Sequence, residues 1–260
     1  MDLNLKNKIY IVTGGTKGIG GAITRTIAEE GGIPVFIGRK KETGEMLLEE
    51  LQAQGKEGYY IQANLNEKGI SEKIVKLTLK KYNRIDGLVN NAGRNDGIGL
   101  ESGTPEDFAK SVFNNLNHYF EMAHYCLDAL KKTKGSIVNI SSKIAFTGQG
   151  GTSGYAAAKG AQLALTREWA VELLKYDIRV NAIVPSEVMT PLYESWINTF
   201  NDPQKQIEKI ISKIPLGKRM TLKEEIAYTA VFLLSDKSAH TTGQQLFVDG
   251  GYVHLDRAIT

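Results

Sequence analysis

Tyr155 and Lys159 stand four residues apart in Tyr155-Ala-Ala-Ala-Lys159, a spacing that puts both side chains on one face of a helix. An ammonium beside a phenol favours the phenolate, so a group with an ordinary pKa of about 10 becomes usable as an acid or base near neutral pH. Ser142 closes the run Gly135-Ser-Ile-Val-Asn-Ile-Ser-Ser142, thirteen residues before the tyrosine. At the carboxyl end of a strand in an α/β sheet, a serine faces the crevice where ligands bind, and its hydroxyl can hold a substrate oxygen. Taken singly, a Tyr and a Lys at helical spacing are ordinary surface residues. Together with Ser142 they form a set able to move a proton on and off a substrate oxygen.

A second motif lies near the N-terminus. Thr13-Gly14-Gly15-Thr16-Lys17-Gly18-Ile19-Gly20 follows a short apolar run and opens into the helical pattern from Ala22 to Ala28. Strand, glycine turn and helix together present unpaired N–H groups and a partial positive charge to a pyrophosphate. The spacing is TGxxxGxG rather than GxGxxG. The next strand candidate ends Phe36-Ile-Gly-Arg39-Lys40-Lys41, where a carboxylate would hold a ribose 2′-hydroxyl and a cation would accept a 2′-phosphate. No carboxylate is present, and Lys17, Arg39 and Lys40 favour the phosphate, so NADP is expected as cofactor, with NAD still open. Hydride transfer to a nicotinamide needs one group to move the oxygen-bound proton and donors to fix that oxygen. Tyr155, Ser142 and Lys159 suit those roles.

Elements of an α/β sheet would position these residues. Short β-branched runs at Lys8–Thr13, Ile33–Gly38, Gly58–Ala63, Gly87–Asn90, Ser136–Ile140, Ile178–Ile183 and Gln244–Val248 alternate with amphipathic stretches near 19–31, 43–54, 67–82, 105–131, 154–175 and 223–235. Seven strands and right-handed helical crossovers predict one doubly wound parallel sheet. From 186 to 216 the chain is polar and aromatic with no strand candidate, which predicts a lid insertion.

The 260 residues, with 42% hydrophobic and 23% charged, exclude wholesale disorder. Thirty-two Lys and Arg against 29 Asp and Glu leave a net charge of +3, spread along the chain, too little to predict a nucleic-acid partner. Cys126 is the single cysteine, in a helix-like segment, and is expected as a buried thiol. The four histidines show no metal-ligand spacing, so no metal is expected. His118 is expected to be packed. No signal peptide or run of about 18 apolar residues is visible, so no membrane association and a cytoplasmic location are expected.

Four separated motifs resemble those of the short-chain dehydrogenase/reductase family over essentially the whole chain. They are the turn at Thr13–Gly20, Asn90-Asn91-Ala92-Gly93 after the fourth strand, Ser142 with Tyr155 and Lys159, and Pro185-Ser186 where the family carries Pro-Gly. The resemblance implies a single Rossmann-type domain over residues 1–260 and an NAD(P)-dependent oxidoreductase. It implies Asn115 as a fourth catalytic residue, holding a water that links Lys159 to solvent. It also implies Thr190 near the nicotinamide amide and phosphate and Asn91 near the adenosine ribose. Ala92, Gly93, Pro185 and Val188 complete that cofactor set. Two departures stand out. Ala63-Asn64-Leu65 lacks the Asp commonly found there, so Asn64 and Leu65 would meet adenine differently, and Ser186 adds a hydroxyl near the substrate.

The segment Ser186–Ile197 and the ending Val248–Arg257 resemble bacterial aldose dehydrogenases that act on L-fucose, which implies oxidation of the anomeric hydroxyl to a lactone. A sugar needs many hydrogen-bond partners, and the expected crevice loops are polar. Arg94, Gln149, Glu187 and Trp196 are the expected substrate contacts, with Asn95, Asp96, Lys143, Thr152, Ser153 and Ser186 nearby. The alternatives are a reductase of β-keto thioesters or small ketones, and a nucleotide-sensing protein without turnover. The small and apolar positions of 155–174 exceed one core face, and the resemblance suggests a dimer through this helix and the one near 105–131. The last strand and helix 223–235 would double it to a homotetramer. His254 and Arg257 would then face a partner subunit's crevice.

Overall fold

A computed structural model describes residues 1–255. Seven parallel strands form one sheet in the order β3-β2-β1-β4-β5-β6-β7. They are β1 (Ile9–Val12), β2 (Ile33–Gly38), β3 (Tyr59–Gln62), β4 (Gly87–Asn90), β5 (Ser136–Ile140), β6 (Arg179–Pro185) and β7 (Gln245–Val248). All seven expected strands are present. The helices are α1 (Gly18–Glu29), α2 (Lys41–Ala53), α3 (Ile70–Tyr82), α4 (Pro105–Val112), α5 (His118–Thr133), α6 (Ser153–Glu172), α7 (Pro191–Ile197), α8 (Pro203–Ile211) and α9 (Lys223–Leu234).

The strands are apolar on both faces because both are covered, and the side-chain period of two divides their residues between two cores. Ile9, Ile11, Val35, Ile37, Leu88 and Ile137 point into a core closed by α3, α5 and α6, where Ile74, Met122, Cys126, Leu130 and Trp169 pack. Their neighbours Tyr10, Val12, Phe36, Val89 and Val138 point the other way, onto Ile23 and Ile27 of α1, Leu47 of α2 and Ile226 and Val231 of α9. Each such side chain contributes about 1.5–3 kcal/mol when buried. Strand order reverses between β1 and β4, which opens a crevice at their carboxyl ends, the usual ligand position in such sheets.

The continuous helix expected over 105–131 is divided. One turn of π-helix, Phe113–Asn117, separates α4 from α5. Asn114, Asn115 and Asn117 are weak helix formers, and the Asn115 Nδ2 donates to the Ser111 carbonyl at 3.0 Å, competing with the main-chain ladder. Such turns cluster at functional sites. Helix α3 begins at Ile70, later than position 67, because Gly69 sits at φ +75°. The strandless insertion contains α7 and α8, each opened by a proline and capped by Thr190 or Asp202. Cys126 is fully buried, which pushes its thiol pKa up, and His118 is packed at 2% exposure. Among the described residues no helix is long and apolar enough to cross a membrane.

Candidate active site

The turn after β1 is shaped by what its backbone excludes. Gly14 and Gly18 sit at φ +61° and +57°, conformations that favour glycine. A Cβ at Gly20 would stand 2.2 Å from the Gly14 carbonyl oxygen and 2.4 Å from the Asn91 Nδ2, so only hydrogen fits between α1 and the turn. The Asn91 Nδ2 donates to the Thr13 and Gly14 carbonyls at 2.9 and 3.2 Å, and the Thr13 hydroxyl accepts from the Asn91 and Ala92 amides. Asn91 therefore braces the turn. Helix α1 has no side-chain cap and no acid in its first turn, so its N-terminal N–H groups are left for an anion, and Ile19 is half-buried behind them. This cradle fits a dinucleotide pyrophosphate.

Around it, Lys17 is exposed at the N-cap of α1, and Arg39 and Lys40 are exposed where β2 ends. The carbonyls of Arg39 and Lys40 are held by Gln62 and Tyr60, which fixes the main chain and leaves the cationic ends at the rim. Thr16 packs against Gly38. Asn64 and Leu65 follow β3, half-buried, and the Asn64 Oδ1 accepts from the Asn66 amide at 3.4 Å. On the far side Thr190 lies beside Gly18, with its methyl 3.5 Å from where a Cβ would be. Pro185 ends β6, and Val188 is buried where it bridges to Thr221.

Ser142, Tyr155 and Lys159 converge at the carboxyl end of β5. Ser142 leads a 3₁₀ turn over Lys143–Ala145, and its hydroxyl interacts with the Tyr155 phenol. Burial pushes the phenol up to about 12, with the serine pulling it back, and pulls the Lys159 ammonium down to about 7. The ammonium is 5.5 Å from the centre of the Tyr155 ring. It donates to the Ile140 carbonyl at 2.7 Å, to Gln162 Oε1 at 3.1 Å and to the Tyr119 hydroxyl at 3.4 Å. Burial therefore opposes ionisation of the phenol, while the Ser142 hydrogen bond favours it. Asn115 is buried in the π turn, its Oδ1 accepting from the Arg94 amide at 2.7 Å and its carbonyl from Gln162 Nε2 at 2.8 Å. Gly93 lies against the same Oδ1, with room for a Cβ only at 3.2 Å.

The expected substrate residues divide. Glu187 pairs with Lys143 in an ion pair whose side chains are only 12% and 13% exposed. The Lys143 ammonium also lies 4.1 Å from the centre of the Tyr252 ring. The Tyr193 hydroxyl is buried near Glu187, and the adjoining Ser186 hydroxyl is buried with no hydrogen-bond partner among the described residues. Trp196 is 41% exposed and packs edge-on to Tyr193 and Phe200, one face of an aromatic cluster on the insertion. Arg94 and Gln149 are exposed, Gln149 between Gly148 and Gly150, and among the described residues no hydrogen bond ties either side chain into the cluster. His254 packs edge-on to Phe247 of its own chain at 4.3 Å, while Arg257 lies outside the described residues.

Sequence reasoning missed Gln162, Tyr119, Tyr193 and Tyr252. Gln162 was visible as a polar residue one turn beyond Lys159 on the same helical face, a position where an apolar residue is expected. Tyr193 and Tyr252 carried no signal, because only the fold brings the insertion and the chain after β7 together.

The fold and this constellation agree with three comparisons. A family model described as enoyl-(acyl carrier protein) reductase matches residues 14–253. The 3-oxoacyl-[acyl-carrier-protein] reductase of Thermotoga maritima is 36% identical over 253 residues, covering 96% of this chain and all of that protein. The L-fucose dehydrogenase of Rattus norvegicus is 33% identical over 245 residues, 94% of this chain and 88% of that one. Among solved structures, the Cj0485 dehydrogenase is 52% identical with a TM-score of 0.94, covering 99% of this chain and 98% of its own. The chain belongs to the short-chain dehydrogenase/reductase family and is an oxidoreductase that uses a nicotinamide dinucleotide.

Proposed function

We propose that this enzyme oxidises the anomeric hydroxyl of an aldose such as L-fucose to the lactone, preferring NADP⁺ to NAD⁺. The observation that carries the substrate class is the enclosed Lys143–Glu187 pair, with the Tyr252 ring over Lys143, the Tyr193 hydroxyl near Glu187 and the Ser186 hydroxyl on the adjoining residue. A carboxylate, an ammonium and hydroxyls on one wall suit a ring of vicinal hydroxyls, and their desolvation would disfavour an acyl chain. Trp196, at the outer edge, offers an indole face to the sugar's C–H surface.

The turn at Gly14–Gly20 with Thr190 would hold the nicotinamide dinucleotide, which would supply a hydride acceptor for C1 of the sugar and a positive charge in the crevice. Ser142 holds the anomeric oxygen by hydrogen bonding. Tyr155 takes the hydroxyl proton as the C1–oxygen bond becomes a carbonyl, and Lys159 beneath its ring stabilises the phenolate that must be present first. Hydride and proton leave together, so the lactone is neutral. In the reverse direction the protonated Tyr155 donates to a carbonyl oxygen. Lys17, Arg39 and Lys40 would hold the 2′-phosphate.

A second reading, reduction of a β-keto thioester, uses the same Ser142, Tyr155 and Lys159 and is favoured by the likeness to the Thermotoga maritima reductase. A substrate panel separates the two. NADP⁺ or NAD⁺ reduction followed at 340 nm with L-fucose, D-arabinose, L-galactose, D-galactose and L-rhamnose, beside acetoacetyl thioester reduction, should show turnover of L-fucose-like aldoses only. Thioester reduction without sugar turnover would overturn the aldose reading.

The assembly proposed is a homotetramer. Phe108, Phe113 and Phe120 are 43%, 48% and 54% exposed and line a groove with Leu116 and Leu165, between α4, the π turn, α5 and α6. Exposed rings of this density suit a second copy. Tyr228 and Leu222 at α9 offer the second contact. Light scattering at micromolar concentration should give a tetramer, and a monomer would reject it.

A further inference from the structure

Gln162 is completely buried on α6, one turn beyond Lys159, and uses both ends of its amide. Its Oε1 accepts from the Lys159 ammonium at 3.1 Å, and its Nε2 donates to the Asn115 carbonyl at 2.8 Å. An ammonium has three N–H donors. Those of Lys159 are directed to Gln162, the Ile140 carbonyl and the Tyr119 hydroxyl, all neutral acceptors. Behind Gln162 the network continues. Its main-chain carbonyl accepts from Thr166 Oγ1 at 2.8 Å, which accepts from Asn139 Nδ2 at 2.9 Å, and Asn139 Oδ1 accepts from Asn90 Nδ2 at 3.1 Å. The main chain at Gln162 is thereby anchored by residues that are themselves fully buried, and the amide is fixed by Lys159 and the Asn115 carbonyl.

We infer that Gln162 is a positioning residue that joins Lys159 directly to the π turn at Asn115, in the place where the family resemblance implies a bridging water. The inference rests on Tyr155 and Lys159 being the acid/base pair. A carboxamide carries hydrogen bonds at both ends but, unlike water, neither accepts nor releases a proton near neutral pH. Gln162 therefore holds Lys159 beneath the Tyr155 ring and gives its ammonium a fixed acceptor that does not itself relay a proton. The titratable groups facing Lys159 are Tyr155 on its own helix and Tyr119 and His118 on α5. His118 is held neutral, pulled down to about 4 by burial and by the lysine charge, and burial keeps Tyr119 protonated. The Gln162 oxygen is thus one of two side-chain acceptors of the lysine ammonium, beside the Tyr119 hydroxyl, and the closer of the two.

Two substitutions separate this role from packing. Gln162→Met keeps the volume and deletes both hydrogen bonds. Gln162→Ala deletes more volume but leaves a polar gap bounded by Lys159, the Asn115 carbonyl and Tyr119, enough partners for a water. With the panel substrate of highest turnover, Gln162→Met should lower kcat for oxidation about tenfold at pH 7 and move the rising limb of the pH profile up by about one unit, the effect of losing one hydrogen bond to a charged group. Gln162→Ala should retain more activity than Gln162→Met, within about threefold of wild type, although it is the less stable protein by thermal unfolding. A packing role predicts the reverse order and an unmoved limb, and that result overturns the inference. Tyr155→Phe run alongside keeps the two ideas apart: full turnover in that variant overturns the acid/base assignment itself, whereas its loss, with Gln162→Met at or above Gln162→Ala, overturns only the role of Gln162.

Discussion

The turn after β1 presents main-chain N–H groups and glycines, whereas the wall after β5 and β6 presents charged side chains from segments 44 residues apart in sequence. On the first side the fit depends on hydrogen atoms where other residues have a Cβ, as at Gly20. On the second it depends on Lys143 and Glu187 meeting across the ends of two strands, one residue after Ser142 and one after Ser186. A backbone cradle serves any dinucleotide and tolerates almost no change. A side-chain wall can be rewritten by single substitutions while the sheet beneath it stays the same, which is how one family accommodates both sugars and acyl thioesters.

If that division holds, substitutions on the two sides separate cofactor from substrate parameters. Of the substitutions that separate the two sides, the largest effect is expected at Gly20→Ala, whose methyl must displace the Gly14 carbonyl or the Asn91 amide. NADPH affinity, read by fluorescence titration, should fall by about 100-fold or more, the cost of disturbing several phosphate hydrogen bonds at once. Next comes Glu187→Gln, which leaves Lys143 enclosed without a counter-charge. The sugar KM should rise about 30-fold while the KM for NADP⁺ stays within about twofold. A parallel rise in both would erase the distinction between the two sides. Arg39→Ala should lower the preference for NADP⁺ over NAD⁺ about tenfold, the worth of one charge-assisted hydrogen bond, with an unchanged sugar KM.

The smallest effect is in pH dependence. Burial raises the Tyr155 phenol above its ordinary value, so the phenolate needed for oxidation gains about tenfold per pH unit. Lys159, lowered to about 7, loses its stabilising charge over the same range and offsets part of the gain. Oxidation kcat/KM should therefore rise about fivefold from pH 7 to 8. Carbonyl reduction, which uses the protonated phenol, should stay level across that interval. Equal slopes in both directions would remove Tyr155 from the proton transfer.

The same contrast decides what could be read before the structure. Strands buried on both faces, the glycine turn and the Tyr155–Lys159 spacing are local patterns, and they announced the sheet, the turn after β1 and the pairing of Tyr155 with Lys159 on one helix. The π turn was hidden because its apolar spacing continues that of α4 and α5, and only the competition of Asn115 for the Ser111 carbonyl breaks the ladder. Glu187 was legible as a polar residue on the insertion, but its pairing with Lys143 depends on the register of β5 against β6. The energetics of Tyr155 were hidden for a related reason. Spacing places the lysine, while burial sets the energy of both charges.

The most direct measurement is the rate of NADP⁺ reduction with L-fucose by wild-type and Tyr155→Phe proteins, with NADPH binding measured on both. The account predicts turnover by the wild type, a loss of about 1000-fold in the variant, and nucleotide affinity unchanged within about twofold. Equal oxidation rates in the two proteins, or no oxidation by the wild type beside brisk reduction of a β-keto thioester, would contradict it.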